Sequence, residues 1–193
     1  MSLQTWQETL IATNVDGAAV TNTTTPTSIL GGTGTGASQA KLTLPSNFFY
    51  VGRVLKITAQ GRISTVVTTP GTLTLDVRFG AVIVANGGPM SLNVVAKTNV
   101  PWWLEWVLTC RAIGSGTTSN LMHQAQWQSE AVIGSPLPTV GGVGSLLIPV
   151  SAPAVGTGFD STAAQTVDLF GTWSVANAAN SIQLHQYKLE ALN

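Results

Sequence analysis

The acidic and histidine side chains are the first candidates for chemistry, because catalysis and metal binding need such groups in clusters. Asp160 and Asp168 lie eight residues apart across a loop and a strand, so their spacing does not place two carboxylates around one glycosidic bond. His123 and His185 are the two histidines of the sequence, and each lies within an alternating strand pattern. They could join Asp160 or Glu130 in a metal site, but no short His-x-His spacing supports one. Since a Gly-x-Ser-x-Gly elbow is also missing, we predict no catalytic residue, no metal site, no cofactor and no enzymatic activity.

A cluster of tryptophans is the second candidate, since exposed aromatic rings can stack on sugars whereas buried rings fill a core. In the segment Val100–Leu108, strand alternation places Trp102 and Trp106 on one face together with two leucines. That face is expected to belong to the core. Trp103 lies on the other face beside Glu105, where a subunit interface or a ligand platform explains an aromatic residue better than the core does.

Charge is scarce in this sequence, and its distribution excludes several classes of partner. Only 8% of the residues are charged, against about 25% in an average soluble domain. Eight basic residues balance eight acidic ones, and a net charge near zero favours association with other proteins. The basic residues are scattered, so no electrostatic footprint for nucleic acid is expected. Cys110 is the single cysteine, which excludes an intrachain disulfide.

Targeting and membrane signals are not evident in the sequence. No apolar run approaches the roughly 18 residues of a membrane span. The residues Met1–Trp6 lack the basic and apolar regions of a signal peptide. We therefore expect a protein that is made in the cytoplasm and has no membrane partner.

Alternation of apolar and polar residues organises the stretch Arg53–Phe79. Two period-2 runs flank the sequence Thr-Thr-Pro-Gly, which is typical of an antiparallel hairpin with one buried face and one wet face. A second long hairpin is predicted from Trp102–Arg111 and Asn120–Glu130, which alternate in the same way. The segment Asn86–Pro89 carries a dense turn signal.

The remaining pattern predicts an all-β protein, since no convincing amphipathic helix is found. The final segment Ile182–Leu192 changes parity midway, and a β-bulge near His185 would restore its facing. We predict an antiparallel jelly-roll β-sandwich with an N-terminal arm. An immunoglobulin-like sandwich is the alternative, although its usual size is about 100 residues. Residues 1–30 are assigned to the arm, an extended segment, and residues 31–193 to a single jelly-roll domain.

Candidate interface residues are taken from the arm, from the wet face of the aromatic strand and from one loop. They are Leu3, Trp6, Leu10, Trp103, Pro136 and Pro138. The two prolines lie in Gly134–Gly144, whose many glycines indicate an irregular protrusion of the kind that often carries function.

Three stretches of the chain resemble structural proteins of tailed bacteriophages: Trp102–Leu104, Gly158–Phe170 and Ser174–Ile182. The resemblance covers the chain from about Leu10 to the end and contains no catalytic signature. Within that class the chain is similar to jelly-roll capsid cement and decoration proteins. The resemblance implies a homotrimer, seated on the capsid surface where capsomers meet, which clamps major capsid protein subunits while its arm reaches over neighbours.

The expected function is therefore that of a non-enzymatic virion protein, assembled in the host cytoplasm, which stabilises the phage head. The alternative is a tail, collar or fibre domain that binds a host-surface glycan through Trp103 and loop residues. Glycan binding that disappears in Trp103→Ala would favour the alternative.

Overall fold

The computed structural model of the protein describes residues 7–31, 40–134 and 144–192. Within these ranges the chain forms thirteen β-strands and no helix, and hence no helix that is long and apolar enough to cross a membrane. The strands are β1 Gln7–Ala12, β2 Val20–Thr21, β3 Thr27–Ser28, β4 Leu42–Leu44, β5 Val54–Thr65, β6 Thr72–Phe79, β7 Val82–Leu92, β8 Lys97–Ala112, β9 Asn120–Gln128, β10 Val132–Gly134, β11 Ser145–Ile148, β12 Gln165–Trp173 and β13 Ser181–Leu192.

These strands form two antiparallel sheets. In the first sheet the order is β1-β13-β5-β8-β9-β11, with β2 also pairing with β13. In the second sheet the order is β10-β7-β6-β12-β3, with β4 also pairing with β12. Buried apolar residues from both sheets form a hydrophobic core cluster, as two sheets packed face to face require. The predicted all-β sandwich is confirmed, whereas the jelly-roll connectivity and the arm stay predictions.

The predicted hairpin between the two runs of Arg53–Phe79 is wrong. Strand β5 pairs with β8 on one edge and β13 on the other, whereas β6 pairs with β7 and β12 in the opposite sheet. Both runs do alternate between buried and outward positions. Alternation establishes that a strand has one buried face, but it carries no information about which strand lies alongside. The connection at residues 66–71 carries the chain from one sheet to the other.

Of three other local predictions, two are confirmed and one is wrong. The hairpin of β8 and β9 is confirmed, with Trp103 opposite Gln128. The β-bulge in the last strand is also confirmed, because the register of β13 against β5 shifts between Leu184 and Gln186. The turn predicted at Asn86–Pro89 is wrong, since β7 continues through it. There the register against β6 slips by a bulge, which accommodates Gly88 at a φ of 72°.

The N-terminal segment runs along the sandwich from Gln7 onward. Strand β1 pairs with β13, from Gln7 opposite Leu192 to Ala12 opposite Lys188. Leu10 packs against the hydrophobic core of its own chain. The segment is thus tied to the first sheet along β1, with a register shift between Thr9 and Ile11.

Candidate functional site

Strand β8 supplies the aromatic residues of the candidate site, and its alternation separates them. Trp102 and Trp106 are buried, with 2% and 0% of their surfaces exposed, which confirms that they belong to the core. Trp103 is half-buried and lies on the outer face of the first sheet. Among the described residues the indole N–H of Trp103 has no hydrogen-bond partner.

The neighbours of Trp103 on the two flanking strands are glutamines. Gln60 on β5 and Gln128 on β9 are its register partners. A groove of about 460 Å³ is lined by Gln60, Pro101, Trp102, Trp103, Gln128, Ser129, Glu130 and Gly144. Within the described ranges, the side-chain amides of these two glutamines make no intramolecular hydrogen bond. The groove thus combines an aromatic surface with two amides that can both donate and accept.

The strand beneath this groove is held by the residue that precedes Trp103. The ring of Trp102 stacks on Trp127, with centroids 4.9 Å apart and planes 12° apart. Its indole N–H reaches the carbonyl oxygens of Arg62 at 3.2 Å and Gln183 at 3.3 Å. Gly61 makes room for this ring, since a Cβ there would lie 2.9 Å from it and 1.9 Å from the Gln183 carbonyl oxygen. The backbone that presents Trp103 is therefore fixed on its inner side.

The two carboxylates nearest to Trp103 are paired with lysines. Lys56 Nζ lies 2.7 Å from Glu105 Oε2, and Lys97 Nζ lies 3.3 Å from Glu130 Oε2. Such exposed pairs add about 0–1 kcal/mol to stability, but they leave little net charge at the groove. The electrostatic character therefore suits an uncharged ligand.

A second groove lies further along the same outer face. It measures about 540 Å³ and includes Glu105, Val107, Thr109 and Arg111 of β8 and Gln124 and Gln126 of β9 among its lining residues. Leu147 of β11 borders it and is 58% exposed. Because Trp103 and Glu105 are consecutive outward residues of β8, the two grooves are neighbours along one pair of strands.

The histidines lie in separate surroundings. His123 is buried, and its Nδ1 accepts a hydrogen bond of 3.4 Å from the Trp106 indole. Burial lowers the pKa of His123 below its ordinary value. His185 Nδ1 lies 2.9 Å from the Asp16 carboxylate. In the part of the chain that the structure describes, no three His, Cys, Asp or Glu side chains converge as a metal site would require.

The two aspartates considered above for chemistry have structural partners. Asp168 is buried and receives hydrogen bonds of 2.6 Å from Ser28 Oγ and Lys41 Nζ. Asp160 accepts from the backbone and hydroxyl of Thr162, and these bonds lower the pKa of its carboxyl. Asp168 thus ties distant segments together, whereas Asp160 stabilises a local turn.

Of the candidate interface residues, Trp103 alone lies in a groove among those that the structure describes. Leu10 packs on its own core. Leu3, Trp6, Pro136 and Pro138 lie outside the described residues. Sequence reasoning missed Gln60 as a member of the site because it was placed on the wrong hairpin. The alternation of β5 did indicate that Gln60 points outward, and this was the sequence feature by which it could have been found.

Comparisons with known proteins give one weak structural likeness. No protein-family model matches the sequence, and no curated protein matches it. Among solved structures, the chain is similar to the CBM2 module of the evolved Dit of Lactobacillus casei BL23 phage J-1. The identity is 12%, the match covers 79% of this chain and 68% of that one, and the TM-score is 0.31. At that TM-score the likeness carries no argument about this chain.

Proposed function

We propose that this protein is a non-catalytic, carbohydrate-binding β-sandwich of a bacteriophage virion, which holds a neutral host-surface glycan in the groove at Trp103. The observation that carries the proposal is the half-buried Trp103 ring between Gln60 and Gln128, whose side-chain amides have no hydrogen-bond partner among the described residues. A tryptophan offers a large apolar surface with one polar N–H, which suits the apolar face and hydroxyl edge of a sugar ring. Ligand sites typically combine such an apolar surface with a few placed polar groups.

The charges and the sequence resemblance support the two further parts of this proposal. Because Lys56 and Lys97 neutralise the carboxylates of Glu105 and Glu130, these pairs offer no net charge that would select a charged glycan over a neutral one. The resemblance of the sequence to tailed-phage structural proteins supports placement in the virion, in a tail, collar or fibre position. Nucleic acid and membranes are not among the proposed partners.

The direct test is a glycan array, followed by calorimetric titration of each glycan that binds. Trp103→Ala should weaken binding by at least about 30-fold, as loss of a hot-spot aromatic does. The matched control is Phe170→Ala, which removes a half-buried aromatic residue from β12 in the other sheet and should leave affinity unchanged. Equal affinities of wild type and Trp103→Ala would remove the basis of the proposal.

The non-catalytic part of the proposal has its own test. Glu130 is the one carboxylate among the residues that line the groove at Trp103, whereas glycoside hydrolysis generally uses a pair of carboxylates. Prolonged incubation with a bound glycan should therefore release no new reducing ends. Products that disappear in Glu130→Gln would show that the site is catalytic.

A second candidate is a capsid cement subunit, a homotrimer at the capsid surface that clamps the major capsid protein. The observation that favours it is apolar exposure in the loops. The loops between β5 and β6, between β7 and β8 and between β12 and β13 expose the apolar residues Val67, Val94, Val95 and Val175. Other loops expose Tyr50, Val51 and Ile113. A hydrogen bond from Thr68 N to Val94 O joins the β5–β6 loop to the β7–β8 loop. Sedimentation distinguishes the candidates, since a cement protein should form trimers and cosediment with phage heads, whereas glycan binding requires neither.

A further inference from the structure

The outer face of β8 and β9 carries a regular row of paired residues. Trp103, Glu105 and Val107 of β8 lie opposite Gln128, Gln126 and Gln124 of β9, respectively. Outward positions of a strand recur about every 6.8 Å, so β9 presents three amides at regular intervals. From Trp103 to Arg111, at the far end of the second groove, the strand covers roughly 27 Å.

The surface of this row is amphipathic, and among its described residues Arg111, at the far end, is the charged side chain without an ion pair. Val107 is 37% exposed and Leu147 is 58% exposed, so apolar surface continues beyond Trp103. The Glu105 carboxylate is neutralised by Lys56. The Gln126 amide is held by Ser145 Oγ at 3.1 Å, whereas the Gln124 side chain has no hydrogen-bond partner among the described residues. The second groove therefore repeats the chemistry of the first, with apolar surface beside amides.

We propose that the two grooves form one trough for a linear segment of a neutral polysaccharide, several sugar units long, which lies along β8 and β9. Trp103 anchors the chain at one end, and Gln124 contacts it towards the other. This proposal rests on the glycan-binding function proposed above and specifies its substrate class: an internal stretch of a repeating chain, in contrast to a terminal sugar. The row of glutamines favours a repeating ligand, because an amide recurs at each outward step of β9 and two of the three, Gln124 and Gln128, have no intramolecular partner among the described residues.

The test is the dependence of affinity on chain length. Malto-, cello- and chito-oligosaccharides of one to eight units are titrated into the full chain by calorimetry. Among the series that bind, affinity should rise at least about tenfold between two and six units and then level off when the trough is filled.

Two variants separate the ends of the trough. Gln124→Ala should weaken binding of the six-unit oligomer about fivefold, as loss of one hydrogen bond does, and leave the two-unit oligomer unaffected. Trp103→Ala should weaken both. Asn86→Ala is the control, since it removes an exposed amide of β7 in the other sheet, outside both grooves, and should change neither affinity.

The possible failures differ from one another. Affinity that is independent of length, but lost in Trp103→Ala, would overturn the trough and retain the glycan-binding function. Absence of binding to every oligomer and to the glycan array would overturn both. A self-associated form that dissociates in Gln124→Ala would overturn the trough by identifying this face as an interface between copies of the chain.

Discussion

The indole rings of Trp102 and Trp127 lie parallel, 4.9 Å apart, on the inner side of the strands whose outer side carries Trp103. The residues that follow them in sequence, Trp103 and Gln128, are register partners on the outer face. One buried stacked pair therefore fixes the two backbones that present the candidate site. Backbones that are fixed in this way lose less entropy when a ligand binds.

Neighbouring tryptophans should consequently differ sharply in their contribution to stability. Trp102→Ala should lower the free energy of unfolding by about 3–5 kcal/mol, because it opens a cavity beside Trp127 and removes the indole donor. Trp103→Ala should lower it by less than about 1 kcal/mol, since this ring lies on the outer face. Urea unfolding followed by fluorescence measures both. Similar losses in the two variants would contradict the separation of core and site.

Gly61 should be intolerant of a side chain. In Gly61→Ala the new Cβ would meet the Gln183 carbonyl oxygen at 1.9 Å and the Trp102 ring at 2.9 Å. Strands β5 and β13 must then move apart, at a cost of about 1–3 kcal/mol. Gly31→Ala is the control, because its nearest contact would be an ordinary 3.5 Å. Urea unfolding should place the control within about 0.5 kcal/mol of wild type, and a comparable loss in both would show that the crowding is not decisive.

Much of the local structure could be predicted from alternation alone. The two-residue period of a strand predicts the burial of Trp102 and Trp106 and the outward position of Trp103. A break in that period predicts the bulge near His185. Each of these features depends on one strand and its own residues. The hairpin of β8 and β9 was also accessible, because a short loop joins the two strands.

The partners of β5 could not be obtained in this way. Its neighbours β8 and β13 are distant in sequence, and the apolar period is the same for any partner that offers a buried face. The groove depends on this pairing, since Gln60 reaches Trp103 only when β5 lies beside β8. Likewise, the Asn86–Pro89 signal indicates a change of backbone direction, which a bulge within β7 satisfies as well as a turn does.

Stability should depend on pH through His123. Burial lowers the pKa of this imidazole in the folded state, whereas the unfolded chain has the ordinary value of about 6.5. Below that pH the unfolded state binds more protons, so stability falls as pH falls towards the folded pKa, by up to about 1.4 kcal/mol per unit. Protonation of Nδ1 would also remove the acceptor for the Trp106 N–H.

The measurement for His123 is urea unfolding at a series of pH values from 7.5 to about 5. His123→Asn keeps an acceptor for Trp106 and should flatten this part of the stability profile, whatever its overall cost. His185→Asn removes the other histidine, which contacts Asp16, and serves as the control that should retain the slope. A slope that survives in His123→Asn would assign the pH dependence to other groups.

Asp168 should hold the early strands to the second sheet. Its buried carboxylate accepts hydrogen bonds from Ser28 Oγ, on β3, and from Lys41 Nζ, directly before β4. Asp168→Ala should lower the free energy of unfolding by about 1–3 kcal/mol. This is less than the 3–5 kcal/mol expected, as a rough figure, for a fully buried ion pair, because the Lys41 side chain remains 31% exposed and can turn to water.

The control for Asp168 is Thr43→Ala, which removes the exposed hydroxyl contact with Thr166 between β4 and β12. It should change stability by less than about 0.5 kcal/mol. Hydrogen exchange of the Ile29 amide, which donates to the Leu169 carbonyl oxygen, gives a local readout. In Asp168→Ala, exchange of the Ile29 amide should accelerate more than the loss of global stability alone predicts. The reason is that the carboxylate and this backbone hydrogen bond hold the same segment. Exchange that follows global unfolding alone would contradict a local tethering role.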